Sequence, residues 1–331
     1  MKRSFSNNIL IILIFTIFCS CTEQEKQLQL LILSGRNNHD WQQTTPVLKR
    51  TFEETGIFKV DITNQPDTLD LNDFRGYDVV VSNWNSWPEN DLRWSEETEK
   101  GLMGFIKQGG GMVFFHASTS VFYEWPEFKK ISTGAWIDET WHGELCPVKV
   151  TMEDADHPIT NGMKGFWIFD ELWFNAEQNI DFKVLGNASK TGEDGYETDP
   201  QPALFVSTYG KGRIFHTILG HDARTLRNTG FRSLITRGAE WAATSEVTLL
   251  LPQELQKDTA TAAHEFHFVE TDTTFGLMDR GNIIWQFNYN TFRGKPYFHP
   301  VYVSGNRITC VSPDDHRWHL DNGFHGNIST G

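Results

Sequence analysis

Four histidines in this chain stand where acid–base or metal chemistry could be built. His39 lies in "NNHD", His116 closes the apolar run "GGGMVFFHAS", His142 precedes Glu144 in "WHGE", and His221 precedes Asp222 in "LGHD". Asp170 and Glu171 sit together in "FDELWF". Imidazole and carboxylate suit zinc or another divalent ion, and they suit proton transfer equally well. We take His116, Glu171, His221 and His39 as catalytic candidates, and His116, His142 and His221 as candidate ligands of a divalent metal. A single histidine at a strand end often does no more than close a core. The joint case is better, because separate loops supply each member. His157 in "DHPI" reads as a turn cap and His216, in mid-strand, as core or surface.

These residues need a scaffold that brings distant loops together. "LQLLILS" (28–34), "IFKVDI", "YDVVVSN" and the run ending at His116 are apolar enough for strands buried on both faces. Between them, a helix is predicted from Thr44 or Thr45 with Pro46 in its first turn, stopped by Gly56. A second runs from Ser95 to Gly109, with Glu96 and Glu97 at its start and Leu102, Phe105 and Ile106 at core spacing. Residues 117–180 are aromatic and irregular, with strand-like "CPVKVTM". "PALFVSTYGKGRIFHTILGHD" reads as a hairpin turned at Tyr209-Gly210-Lys211-Gly212, so "YGKGR" is a turn rather than a phosphate cradle. A last helix is "FRSLITRGAEWAA". This alternation predicts a doubly wound α/β domain over 28–245, in which strand ends converge on one edge. A linker is expected over 246–263 and a β-type segment over 264–331, too short for a full core of its own.

Composition narrows the partners. The formal net charge of −14, with no basic cluster, argues against nucleic acid. Aromatics make up 13% of the chain, and Trp84, Trp87, Trp125, Trp136 and Trp141 fall in polar, loop-like stretches. Flat rings there suit the C–H faces of sugars. Trp84, Trp125 and Trp141, with Asn37 and Asn38 beside His39, are the candidate carbohydrate contacts.

The first 21 residues read as a lipoprotein signal. Lys2 and Arg3 precede a ten-residue apolar stretch, Ile9 to Phe18, too short to span a bilayer. "IFCSC" follows, with Cys21 as the lipidated residue, although Phe18 stands where leucine is usual. Membrane attachment is expected through that anchor alone, in the periplasm or at the outer membrane. Cys146 and Cys310 then remain of the 4 Cys, so no disulfide framework or cysteine zinc site can be built.

"GRNNHDW", "GGGMVFFHAS", "HPITNGM", "FDELWF" and "YGKGRIFHTILGHD", in that order, resemble the ThuA-like (trehalose-utilisation) family over about 30–245. The resemblance implies a flavodoxin-like α/β fold similar to class I glutamine amidotransferases, and a role in handling sugars, including 3-keto disaccharides. Amidotransferase chemistry needs a cysteine at the strand-to-helix elbow. His116 stands there instead and Cys146 lies elsewhere, so glutamine hydrolysis is excluded. "GKPYFHPVYVSGNRITCVSPDDHRWHLDNGFHG" resembles the start of the PmoA-like family, whose pattern continues further; that domain is expected to be truncated. Its His299, His316, His319 and His325, near Asp314 and Asp315, are read as family signature rather than as a working site.

Two functions remain in play. One is an exported, lipid-anchored enzyme cleaving or modifying a (3-keto) glycoside or disaccharide by His/acid chemistry, with or without a metal. The other is a non-catalytic sugar-binding or scaffold lipoprotein.

Overall fold

The apolar run at the start of the α/β domain becomes strand β1 (Leu28–Leu33), whose last four residues are buried. In the computed structural model, which describes residues 26–89, 91–178, 182–192, 197–257, 266–279, 282–289, 296–303, 306–307, 309–311 and 318–320, β1 is central to a parallel group. Its neighbours are β2 (Phe58–Thr63) and β3 (Val79–Ser82), and β3 pairs with β4 (Gly111–Phe115). The helices are α1 (Trp41–Glu53), α2 (Leu71–Phe74), α3 (Glu96–Gln108) and α4 (Thr229–Thr244). The short strands β5 (Trp141–His142) and β8 (Trp173–Phe174) pair as a separate ribbon. The remaining sheet strands are β6 (Cys146–Met152), β7 (Phe166–Asp170), β9 (Phe182–Lys190), β10 (Gln201–Tyr209) and β11 (Gly212–Thr217).

The nine-stranded sheet has the order β2-β1-β3-β4-β11-β10-β9-β6-β7. Its parallel half, through β11, has the flavodoxin-like strand order. From β11 to β7 each pairing is antiparallel. Four reversals return β7 to the direction of β11, so the end of β7 points to the same edge as the ends of β1, β3, β4 and β11. Leu30, Ile32, Val113 and Phe215 join α1 and α4 residues such as Phe52 and Leu234 in one core cluster. Leu31, Val80, Met112 and Ile214 join Phe74, Leu102 and Phe105 of α2 and α3 in the other. Strands buried on both faces explain the unbroken apolar runs.

One expectation about elements is corrected, and one is seen in part. Helix α1 begins at Trp41, one turn before the Thr-Thr-Pro signal: Asp40 caps it by accepting from Gln43 N at 3.1 Å, leaving Pro46 inside. Thr44 and Thr45 instead turn their hydroxyls to Asn83 Nδ2, each at 2.9 Å. The expected linker is seen in part, since 258–263 lie outside the described residues. Residues 246–257 pack on the α/β domain: Thr248 N and Leu249 N donate to Glu240, and Arg237 donates to Leu249 O. Leu255 is buried. Beyond it, β12 (Phe266–Glu270), β13 (Thr274–Asp279), β14 (Asn282–Asn288), β15 (Tyr297–Val303) and β16 (Asn306–Arg307) form a separate antiparallel sheet, and β17 (Thr309–Val311) pairs with β18 (Trp318–Leu320). The signal segment with Cys21, and His316 and His325, lie outside the described residues.

Candidate active site

Each site residue follows a strand at the shared edge. His116 comes directly after β4 and adopts φ of 44°, a left-handed conformation that costs a non-glycine residue roughly 1–3 kcal/mol. A bond across the edge holds it: Nδ1 donates to Ile218 O at 2.9 Å. That bond fixes the tautomer and leaves the Nε2 lone pair free. His39, after β1, is held the same way by Asn37, whose Oδ1 takes Nδ1 at 3.2 Å and the His39 backbone N at 2.9 Å. The two free Nε2 atoms face each other 3.2 Å apart.

Glu171, just after β7, is the hub. Its Oε2 accepts from Trp173 Nε1 at 2.9 Å and lies 3.6 Å from His116 Nε2 and 3.4 Å from His221 Nδ1. The last contact lacks hydrogen-bond geometry, so that buried nitrogen makes no hydrogen bond among the described residues. Oε1 meets His142 Nδ1 at 3.0 Å. His39, His116, Glu171 and His221 each offer a donor atom within 4.8 Å of all the others.

Burial decides the charges. Desolvation, helped by His221, lowers the His39 pKa to about 4. Desolvation and His39 push His116 well below the ordinary histidine value. Both rings are therefore neutral near pH 7, with lone pairs exposed to each other. Burial would raise Glu171, but His221, His116 and Trp173 outweigh it and hold the carboxylate at about 2. The Glu171 carboxylate in turn raises His221. Asp170, fully buried beside this group, is pushed up to about 7 by desolvation despite three backbone N–H donors.

The donor set fits a cation. Ligands about 2.0–2.2 Å from a tetrahedrally bound ion stand roughly 3.3–3.6 Å from one another; three of the contacts here are 3.2, 3.4 and 3.6 Å, within a set that spans 4.8 Å. Two neutral imidazole lone pairs that face each other need a proton or a metal ion between them. His142 lies outside this four-residue group, with its Nδ1 against Glu171 Oε1 and Gly143 O, and His39, expected as a catalytic residue, lies inside it.

The candidate sugar contacts separate. Trp84 and Trp125 are buried in an aromatic cluster with Trp94, Phe122 and Phe128, where no ring face is open to a ligand. The long aromatic segment was filling the core there. Asn37 spends its carboxamide oxygen on His39 and Asn85, which orients the His39 ring. Asn38 is exposed with its Oδ1 held by Asn85 Nδ2 at 2.7 Å, which leaves its own amide nitrogen open. Trp141 is 50% exposed and stacks on Phe174 at 4.2 Å, one residue from His142.

Sequence reasoning missed two supports, Asn85 and Trp173, and placed Trp136 only among the loop-like aromatics. Asn85, fully buried, donates to Asn37 Oδ1, Asn38 Oδ1 and Ala117 O. Polar residues directly after the β3 run, in "SNWNSW", were the available signal. Trp173 holds Glu171 and lies 4.6 Å from the His116 ring, and Trp136 packs on Trp173 and His142.

The family described as ThuA, trehalose utilisation, matches residues 29–242. The chain belongs to the ThuA family. A solved ThuA-like protein from Parabacteroides merdae is 30% identical, covering 71% of this chain and 96% of its own, with a TM-score of 0.60. A ThuA-like protein from Bacteroides uniformis shares the fold at 20% identity, covering 68% of this chain and 94% of its own, with a TM-score of 0.52. No curated protein matches the sequence. All four members of the cluster fall inside the ThuA match. That match ends before β12, so the PmoA-like resemblance of the C-terminal strands rests on sequence motifs alone.

Proposed function

We propose that this ThuA-family protein is an exported, lipid-anchored enzyme that acts on a (3-keto) glycoside or disaccharide at the His39–His116–Glu171–His221 centre, with a divalent ion such as zinc held there. Family membership points to carbohydrate utilisation. One observation carries the centre's chemistry: two histidine Nε2 atoms, both deprived of their protons by bonds at Nδ1, face each other at 3.2 Å beside a carboxylate. An ion there would supply positive charge against a developing enolate oxygen.

In a 3-keto sugar the ketone acidifies the C2 proton, and the oxygen on C1 is then a leaving group. His142 suits that proton transfer. Its Nδ1 lies against Gly143 O at 2.7 Å and Glu171 Oε1 at 3.0 Å, which places the proton on Nδ1 and the free lone pair on Nε2. Its side chain is 39% exposed, more open than His116, His221 or Glu171. The C2 proton would pass to Nε2, the C2–C1 double bond would form, the C1–O bond would break, and the departing oxygen would take that proton from Nε2. Exposed Trp141 and the Asn38 amide offer a ring face and a donor beside the centre.

Metal analysis of the purified protein, with product formation assayed on 3-keto-glucosides and on the parent glycosides, tests the reading. About one ion per chain and turnover of the keto substrates alone is expected. Tight sugar binding with no turnover on either substrate would overturn it.

A further inference from the structure

Glu171 and His221 come from different strands, β7 and the end of β11, and 50 residues separate them in the chain. One side chain touches the backbone of both. Asp170 Oδ2 accepts from Gly220 N at 2.8 Å, and Oδ1 accepts from His221 N at 3.2 Å and from Glu171 N at 2.8 Å. Asp170 is 0% exposed and has no Lys or Arg partner among the described residues. The turn that presents these two N–H groups needs glycine at 220: its φ is +119°, and a Cβ there would stand 2.7 Å from Phe115 Cδ2. A second bond, from Thr225 Oγ1 to Phe169 O at 2.9 Å, ties the same two segments one step further on.

From this geometry we infer that Asp170 is a positioning residue of the centre, clamping the Glu171 and His221 backbones so that the two side chains meet before any ligand arrives. The inference takes the four-residue centre proposed above as the site. Asp170 touches none of the donor atoms itself. A buried carboxylate unpaired with a cation is costly to keep, and here its acceptor capacity goes to the two segments that carry Glu171 and His221.

A matched control lies elsewhere in the fold. Glu240 is 3% exposed and likewise accepts from two backbone N–H groups, those of Thr248 and Leu249, far in sequence from the centre. Asp170→Asn and Glu240→Gln should therefore both lower the melting temperature of the full chain. Only Asp170→Asn should also weaken zinc binding, measured by chelator competition well below melting, by roughly 10–100-fold as outer-shell changes do. A folded Asp170→Asn protein that binds zinc as Glu240→Gln does would overturn the inference. Asp170→Ser serves in its place where the Asn variant does not fold.

Wild-type protein that takes up no zinc would defeat the metal reading, and Asp170 is then judged without metal. Faster amide exchange at Gly220 and His221, with shifted His221 ring resonances in Asp170→Asn, would uphold the clamp. Wild-type exchange and resonances would remove it.

Discussion

At the scale of single residues, His116 combines two duties that can be separated by substitution. Its Nδ1 closes a buried bond to Ile218 O, and its Nε2 faces His39. His116→Ala loses both, leaving the Ile218 carbonyl without this partner at a cost of roughly 1–3 kcal/mol. His116→Asn can keep a donor near Nδ1 while losing the Nε2 lone pair. The Asn variant should melt closer to wild type than the Ala variant, with both losing turnover and zinc; equal melting of the two would mean the Ile218 bond contributes little. His216 is the contrasting case. Its ring is fully buried between Phe205 and Phe114, and neither nitrogen makes a hydrogen bond among the described residues. Desolvation lowers its pKa to about 3, and the His116 backbone only partly offsets that. The unfolded chain therefore takes up a proton below about pH 6.5 that the folded protein refuses until about pH 3. Stability is full above pH 6.5 and falls as the pH drops, by up to about 1.4 kcal/mol per unit from this group. Melting curves at pH 7 and 5 should show a smaller drop in His216→Leu than in wild type; an unchanged drop would place the acid sensitivity elsewhere.

Among the elements, the predicted strands and helices of the parallel half were legible because burial on both faces writes itself as unbroken apolar runs, as in "VVVS" of β3 and "GMVFF" of β4. The start of α1 was misread because a Thr-Thr-Pro signal looks like a cap, while Asp40 supplied the real one. The roles of supporting side chains were not legible from spacing. Asn85 and Asp170 matter through bonds to residues dozens of positions away, which local spacing does not encode. Burial of Trp84 and Trp125 was hidden for the same reason: polar neighbours in sequence disguised an apolar neighbourhood in space. The docked segment after α4 gives an element-scale test. Glu240 and Arg237 on α4 are both buried and both bond to residues 248–249. Cutting the chain after 245 strips those partners from two buried charges, a loss on the order of 3–5 kcal/mol by analogy with broken buried pairs. Cutting after 257 keeps them. Thermal unfolding should show the shorter chain melting well below the longer; coincident curves would mean the 246–257 segment is dispensable.

For the whole molecule, the lipid anchor proposed at Cys21 predicts location. Cys21→Ser should move the protein from the membrane to the soluble fraction, and a variant still sedimenting with membranes would contradict the anchor. The centre also predicts a link between ion and fold. A ligand that binds the folded chain alone stabilises it by about 2.7 kcal/mol at a hundredfold excess over Kd, so zinc should raise the melting temperature of wild type and leave His39→Ala nearly unmoved.

The four donors come from positions 39, 116, 171 and 221, each following a different strand of one sheet. The full set spans residues 39 to 221, and β7 reaches the shared edge only after four antiparallel reversals are in place. An ion held by all four, as proposed above, would meet its complete ligand set only once this sheet has formed. Affinities of first-row divalent ions for nitrogen and oxygen sites follow a fixed order whatever the protein, so the mix of ions at the place where folding finishes would govern occupancy. If the chain completes its sheet outside the cytoplasm, as proposed, the ions available there would join ligand type and geometry in choosing the metal.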